Sequence, residues 1–167
     1  MILPGTDIEA EIAAGNITIS PFSSEHLNPQ GYDYHLGDRI REFSHFEGDR
    51  SQFGESRAIP EAGLVLLPNT LYLGHTFEKI GSSKFAMSLT GRSALGRLGL
   101  FVQLANLGHT GTSHCWTLEI YAVRPIRVYP NLKIGQVSFW SNCGEVEPYQ
   151  GRYSNSSGPQ ESVLQLK

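Results

Sequence analysis

Charge and sulfur are both scarce in this 167-residue chain. Charged residues make up only 17%, and thirteen basic against sixteen acidic side chains leave a net charge of -3. No block of like charge gathers, so a nucleic acid polymer finds no electrostatic footprint. Two cysteines, Cys115 and Cys143, are too few for a disulfide scaffold, and neither belongs to a C-x-x-C pair. No apolar run approaches the roughly 18 residues that span a bilayer, and the N-terminus lacks a basic stretch followed by an apolar core. These absences predict a soluble, cytoplasmic protein with reduced thiols and no membrane partner. The length suits one domain over residues 1–167.

Glycine and proline, by contrast, are plentiful: 18 and 9, spread along the whole chain. Such even punctuation favours many short strands. One helix is expected near the start, with Thr6 as N-cap, Glu9 three residues later, the apolar pair Ile8 and Ile12, and Gly15 as the stop. Ile17 to Ile19 reads as a strand. Tyr32 to Leu36 alternates as a strand with one buried face would. The polar stretch from Glu47 to Ala62 reads as an exposed loop. From Gly63 onward apolar runs recur at Leu64 to Leu67, Leu71 to Leu73, Phe85 to Leu89, Leu98 to Leu104, Trp116 to Val123, Ile126 to Tyr129 and Val137 to Trp140, with turn residues between them. That spacing predicts a mainly β sandwich or barrel. The small polar residues after Asn142 predict a flexible C-terminal arm from about residue 143.

Several chemical motifs can be weighed on the residues alone. His45-Phe46-Glu47 supplies the first half of a zinc-deaminase signature, but no P-C-x-x-C follows. His114 and Cys115, adjacent on a strand, face opposite sides and are poor partners for one metal. Gly91 to Arg97 (Gly-Arg-Ser-Ala-Leu-Gly-Arg) fails as a P-loop, because Arg97 and Leu98 follow Gly96, and as a nucleophile elbow, because Leu95 stands where Gly is needed. It still holds two guanidinium groups, a hydroxyl and backbone donors, a set suited to a phosphate chain or to a solvated basic turn. Glu119 sits within Trp116-Thr117-Leu118-Glu119-Ile120-Tyr121, where burial of a carboxylate is costly unless it is paired. It is either an outward edge carboxylate or an acid/base tuned by a nearby cation, with Arg97 the candidate.

Thr90-Gly91-Arg92-Ser93-Ala94-Leu95-Gly96-Arg97-Leu98-Gly99-Leu100 resembles the G-[RK]-S-S-L-[GA]-R-L-G-L block of the dCTP deaminase family, in the trimeric dUTPase-like superfamily, with one Ser-to-Ala change. Four further stretches agree in order: Asn28-Pro29 through Asp33 to Leu36-Gly37, Leu73 to Glu78 with L-x-x-T-x-E, Thr117-Leu118-Glu119 with T-L-E, and Tyr129-Pro130 to Ile134-Gly135-Gln136. The resemblance implies a dUTPase-like β fold, a homotrimer with active sites between subunits, and a C-terminal arm that closes over the nucleotide. It further implies zinc-free hydrolysis of dCTP to dUTP and ammonia, feeding pyrimidine deoxynucleotide synthesis. In this comparison Glu119 matches the acid/base, Ser93 the water-positioning hydroxyl and Arg97 the electrostatic stabiliser. Arg92 with Ser93, Ala94, Leu95, Gly96 and Arg97 matches the triphosphate cradle, and His109, Thr117, Leu118, Gln136, Tyr149 and Arg152 match nucleotide-contacting positions. Magnesium would accompany the triphosphate, with no protein metal site.

The departures fall on sugar recognition. His109 stands where the family has Asp, ten residues before Glu119. Thr112 replaces an aromatic residue that normally packs near the sugar, which predicts weaker selection of deoxyribose over ribose. Arg152 replaces the usual Lys, and Ser156 stands where Gln is common. The alternatives are a dUTP or pyrimidine nucleotide diphosphatase, against which the loss of Asp at position 109 argues, and a catalytically silent nucleotide-binding trimer.

Overall fold

The computed structural model describes residues 1–47, 50–104, 106–151 and 158–162. Helix α1 spans Gly5–Ala13 and opens two residues earlier than expected, with Pro4 in place of Thr6 as N-cap and no side-chain cap. The cause is steric: a Cβ at Gly5 would lie 2.4 Å from the Asn28 carbonyl oxygen, so only glycine lets the helix begin against that loop. Ile8 is its buried anchor, and Gly15, at φ +77°, ends the helix as expected.

Strands then follow one another almost without interruption: β1 (Ile17–Ser20), β2 (Leu27–Asn28), β3 (Gly31–His35), β4 (Arg39–Glu47), β5 (Arg50–Phe53), β6 (Arg57–Ala58), β7 (Leu64–Leu66), β8 (Leu71–His75), β9 (Lys79–Ser82) and β10 (Phe85–Gly91). A short helix, α2 (Ser93–Arg97), leads into β11 (Leu100–Gln103), β12 (Thr112–His114), β13 (Thr117–Ala122), β14 (Ile126–Val128) and β15 (Lys133–Ser141). They pair as β10-β15-β3-β2, as β11-β13-β8-β4-β5 with β6 beside β4, as β1-β9-β12, and as β14-β7. The mainly β architecture and the apolar runs after Gly63 agree with expectation. No described helix is long and apolar enough to cross a membrane.

Three local expectations need correction. β3 is buried on both faces, not one. Tyr32 and Tyr34 fill the core, while Asp33 and His35 are buried through polar partners: Asn28 and Gln136 donate to Asp33 Oδ1 at 2.8 and 2.9 Å, and Glu78 receives His35. The stretch from Glu47 to Ala62 is not simply a loop, because β4 turns back into β5, where Phe43 packs on Phe46 and Phe53. Its polar composition reflects a hairpin that is exposed or only partly buried. Finally, the Gly91–Arg97 segment contains a second helix, held by Leu95, which packs on the core.

A buried turn joins the sheets. Thr76 receives the Trp116 amide on its hydroxyl at 2.9 Å, gives that hydroxyl proton to the Glu78 carbonyl at 2.7 Å, and donates its own amide to the Trp116 carbonyl at 2.8 Å. The Glu78 carboxylate accepts the His35 amide at 2.9 Å and meets His35 Nδ1 at 2.5 Å. Thr76→Val keeps the shape but strands the Trp116 amide, and should lower stability by about 1–3 kcal/mol. Urea denaturation checks this through the midpoint at unchanged slope. A loss below about 0.5 kcal/mol would show that water replaces the hydroxyl.

Candidate active site

β13 alternates cleanly. Leu118, Ile120 and Ala122 enter the core, and Thr117, Glu119 and Tyr121 face the other way. Glu119 lies opposite Gln103 on β11 and Leu73 on β8. It opens into a cavity of about 520 Å³ whose apolar wall includes Leu71, Leu73, Leu104, Leu107 and Trp116. Solvent still reaches Glu119, but partial burial raises its pKa above the ordinary carboxylate value. Burial is the sole cause. Arg97, expected as its tuning cation, makes no contribution within the chain, and no Lys or Arg among the described residues lines the cavity.

The rest of the wall comes from the turn before β13. His109 is exposed and stacks on Tyr149 with ring centroids 4.8 Å apart and planes at 13°. Gly111, at φ +91°, leaves space for Pro148, and the Tyr149 amide donates to the Thr110 carbonyl at 3.2 Å. Thr112 is committed locally, its hydroxyl donating to the His109 carbonyl at 2.8 Å. The start of the C-terminal arm is therefore docked against the 109–112 turn. Residues 158–162 return to the cavity, where the Gln160 amide donates to Thr117 Oγ1 at 3.2 Å. Arg152 and Ser156 lie outside the described residues.

Sequence reasoning missed His114. It lines the cavity at 8% exposure, packs its ring on Trp116, and has its pKa lowered chiefly by burial, which favours the neutral imidazole. Its Nδ1 has no hydrogen-bond partner. The signal was the two-residue period Thr112, His114, Trp116, which puts all three on one face. Considering His114 only with Cys115, as metal ligands, hid that pattern.

The other candidate residues gather elsewhere. Leu95 and Gly96 spend their amides closing α2 onto the Arg92 carbonyl at 3.0 and 3.1 Å, so they are not open donors for a phosphate. Gln136 is held by Asp33, not turned into the cavity. Burial pushes Asp33 up, but hydrogen bonds from Gln136 and Asn28, with the charges of Arg92 and Lys133, outweigh it and hold its carboxyl below the usual range. Leu118 is fully buried, so any contact it makes with a nucleotide must come from its backbone. None of Arg92 to Arg97 lines the Glu119 cavity. One chain thus presents two separate halves. The first holds Glu119, Thr117, His109 and Tyr149; the second holds the Arg92–Arg97 segment, with Arg92 near Asp33 and Gln136.

A profile described as dCTP deaminase-like matches residues 2–142. A protein of Hathewaya histolytica named "dCTP deaminase, dUMP-forming" is 41% identical, over 98% of this chain and 97% of its own. One from Rhodopirellula baltica named "dCTP deaminase" is 38% identical, over 98% of this chain and 84% of its own. The fold is shared with the crystal structure of 2'-deoxycytidine 5'-triphosphate deaminase from Agrobacterium tumefaciens, at a TM-score of 0.69 and 20% identity, over 84% of this chain and 48% of that one. The expectation of a hydrolytic enzyme of this kind agrees with these relatives. The expected dUTP product does not, since several of them are named for dUMP. With a matching profile over most of its length and full-length relatives at this identity, the chain belongs to the dCTP deaminase-like family.

Proposed function

We propose that this protein hydrolyses the 4-amino group of dCTP and carries the product on to dUMP. Written in balance, dCTP and water give dUTP and ammonia, and dUTP and a second water give dUMP and pyrophosphate. The observation that carries the first step is Glu119, a carboxylate of raised pKa at an apolar cavity. Such a group takes a proton from water as the oxygen attacks C4, then returns it to the departing amine. The dUMP product is carried over from the names of the relatives.

A triphosphate needs positive charge, and among the described residues no Lys or Arg lines the cavity, which supports a second copy. Around Glu119 the sheet presents Phe101, Tyr121, Val123 and Leu71 outward, with Phe101 opposite Tyr121 and Tyr121 opposite Leu71, and Phe101 and Val123 52% and 55% exposed. An apolar face continuous with a catalytic carboxylate suits a symmetric assembly. In the trimer proposed here, the partner's α2 brings a hydroxyl and guanidinium groups equivalent to Ser93, Arg92 and Arg97. Ser93 holds the water, Arg97 stabilises the tetrahedral intermediate, and Arg92 takes phosphate. Tyr149, Thr117 and Arg152 complete the enclosure. Magnesium would accompany the triphosphate, bound through phosphate oxygens and water.

A second reading, deamination that stops at dUTP, is favoured by His109, a stacked imidazole where the family has a carboxylate. Purified protein given dCTP and magnesium, scored for ammonia, pyrophosphate, dUTP and dUMP, separates the two. Equal ammonia and pyrophosphate support dUMP formation, and ammonia alone supports the second reading. Neither product from dCTP, CTP or dUTP would overturn both.

Two variant predictions follow from Glu119. Glu119→Gln should cut ammonia release by about 10²–10⁴-fold, the usual weight of a general acid/base. The same variant should be at least as resistant to heat as the parent at pH 8. A carboxyl whose pKa is raised on folding costs stability above that pKa and nothing below its unfolded value, so the gain should shrink toward pH 4. For the parent, kcat/KM should fall as pH drops through the raised pKa, starting above the range of an ordinary carboxyl. An acid limb centred at or below pH 4.5 would contradict this assignment.

A further inference from the structure

The C-terminal segment 158–162 is fastened to the wall that carries Glu119 by backbone and ionic contacts. In the first, Thr117 Oγ1 accepts the Gln160 amide at 3.2 Å and reaches the Gly158 carbonyl at 3.4 Å. The second is ionic. Glu161 Oε1 meets Arg41 Nη2, with both side chains mostly buried. Arg41 is already oriented for this. Its Nε donates to the Gly54 carbonyl at 2.9 Å and its Nη2 to the Phe53 carbonyl at 3.3 Å, so the guanidinium is fixed by the end of β5. An exposed ion pair between two loose side chains is worth little, but a carboxylate docking on a held guanidinium gives up less freedom for the same attraction. Gln160, Glu161 and Ser162 all line the Glu119 cavity.

From this geometry we propose that Arg41 and Glu161 form a positioning latch that seats segment 158–162 over the cavity and sets how closely the nucleotide is enclosed. The proposal rests on the dCTP reading for the identity of the nucleotide, not for the latch itself. Neither residue is a catalytic residue. Both act through the segment they hold: Arg41, on β4 opposite Leu73, does not itself line the cavity and meets Glu161, which does. The pair also gives a use to the β4–β5 hairpin, whose Phe53 lines the cavity and whose backbone orients Arg41.

The latch is tested first in the ligand-free, full-length protein by amide hydrogen exchange of Glu161→Gln, Arg41→Gln and the double variant. Each single variant should speed exchange across 158–162 by roughly fivefold or more, with β10 and β15 unchanged. The double variant should be no faster than either single one, because the two residues act as a unit. With dCTP, Glu161→Gln should raise KM several-fold while kcat stays within about twofold, the pattern of lost enclosure and retained chemistry. Unchanged exchange in Glu161→Gln, or effects of the two substitutions that simply add, would overturn the latch. Glu161→Gln touches no core element, so misfolding cannot explain its result. If the parent protein turns over no nucleotide, the dCTP reading fails and the exchange experiment still decides the latch.

Discussion

The turn from Thr76 to Glu78 is the constraint on which the rest of the structure leans. Thr76 is wholly buried and Glu78 is 2% exposed, so each polar atom there must find a partner or lose its hydration without return. The partners come from three directions. His35 ends β3, Trp116 stands just before β13, and the turn itself follows β8. The Phe77 amide donates to the His35 carbonyl at 2.8 Å and the Gly37 amide to the His75 carbonyl at 2.7 Å, extending the junction on both sides. A buried Glu without His35 would be a large penalty. With it, the turn fixes the register of β13 against β8, and three residues past Trp116 that register puts Glu119 outward.

This explains which parts of the sequence were legible. The Thr76-x-Glu78 pair and the Asp33 to Gly37 stretch stood out as family blocks. In the structure they are the two sides of one polar junction, a role that tolerates few substitutes. Glu119 could be placed because strand alternation is local: a carboxylate between Leu118 and Ile120 must point away from them. The second helix was hidden because five residues, one of them Gly96, carry too little periodicity to signal. The β4–β5 hairpin was hidden because its strands are exposed or only partly buried and their composition is that of a loop. Gly135 was legible only as part of a block. Its reason is a Tyr34 ring that lies where a Cβ would project, so β15 can cross β3 only with glycine there. The division of the site into two halves depends on distant contacts and left no local trace.

The two halves have complementary deficits. Among the described residues the cavity has a carboxylate whose pKa burial raises, an apolar wall and a stacked His109–Tyr149 pair, but no cation. The α2 segment has two arginines and a serine but no apolar pocket. In an isolated chain the carboxylate and the α2 arginines therefore lie in different places. The proposed joining across an interface would also cover the exposed apolar face beside Glu119, which in a lone chain would be a liability. It sharpens the importance of His109 as well. That residue lines the same cavity as Glu119 and stacks on Tyr149.

If Glu119 of one copy works with Arg97 of another, as proposed, mixing two inactive variants should restore activity. Glu119→Gln and Arg97→Ala proteins are each unfolded, combined in equal amounts and refolded together. In a closed ring assembled at random, one site in about four then receives both native residues, so ammonia release from dCTP should return to roughly a quarter of the parent rate. Recovery no greater than the sum of the two variants refolded separately would contradict the shared site and place the whole chemistry within one chain.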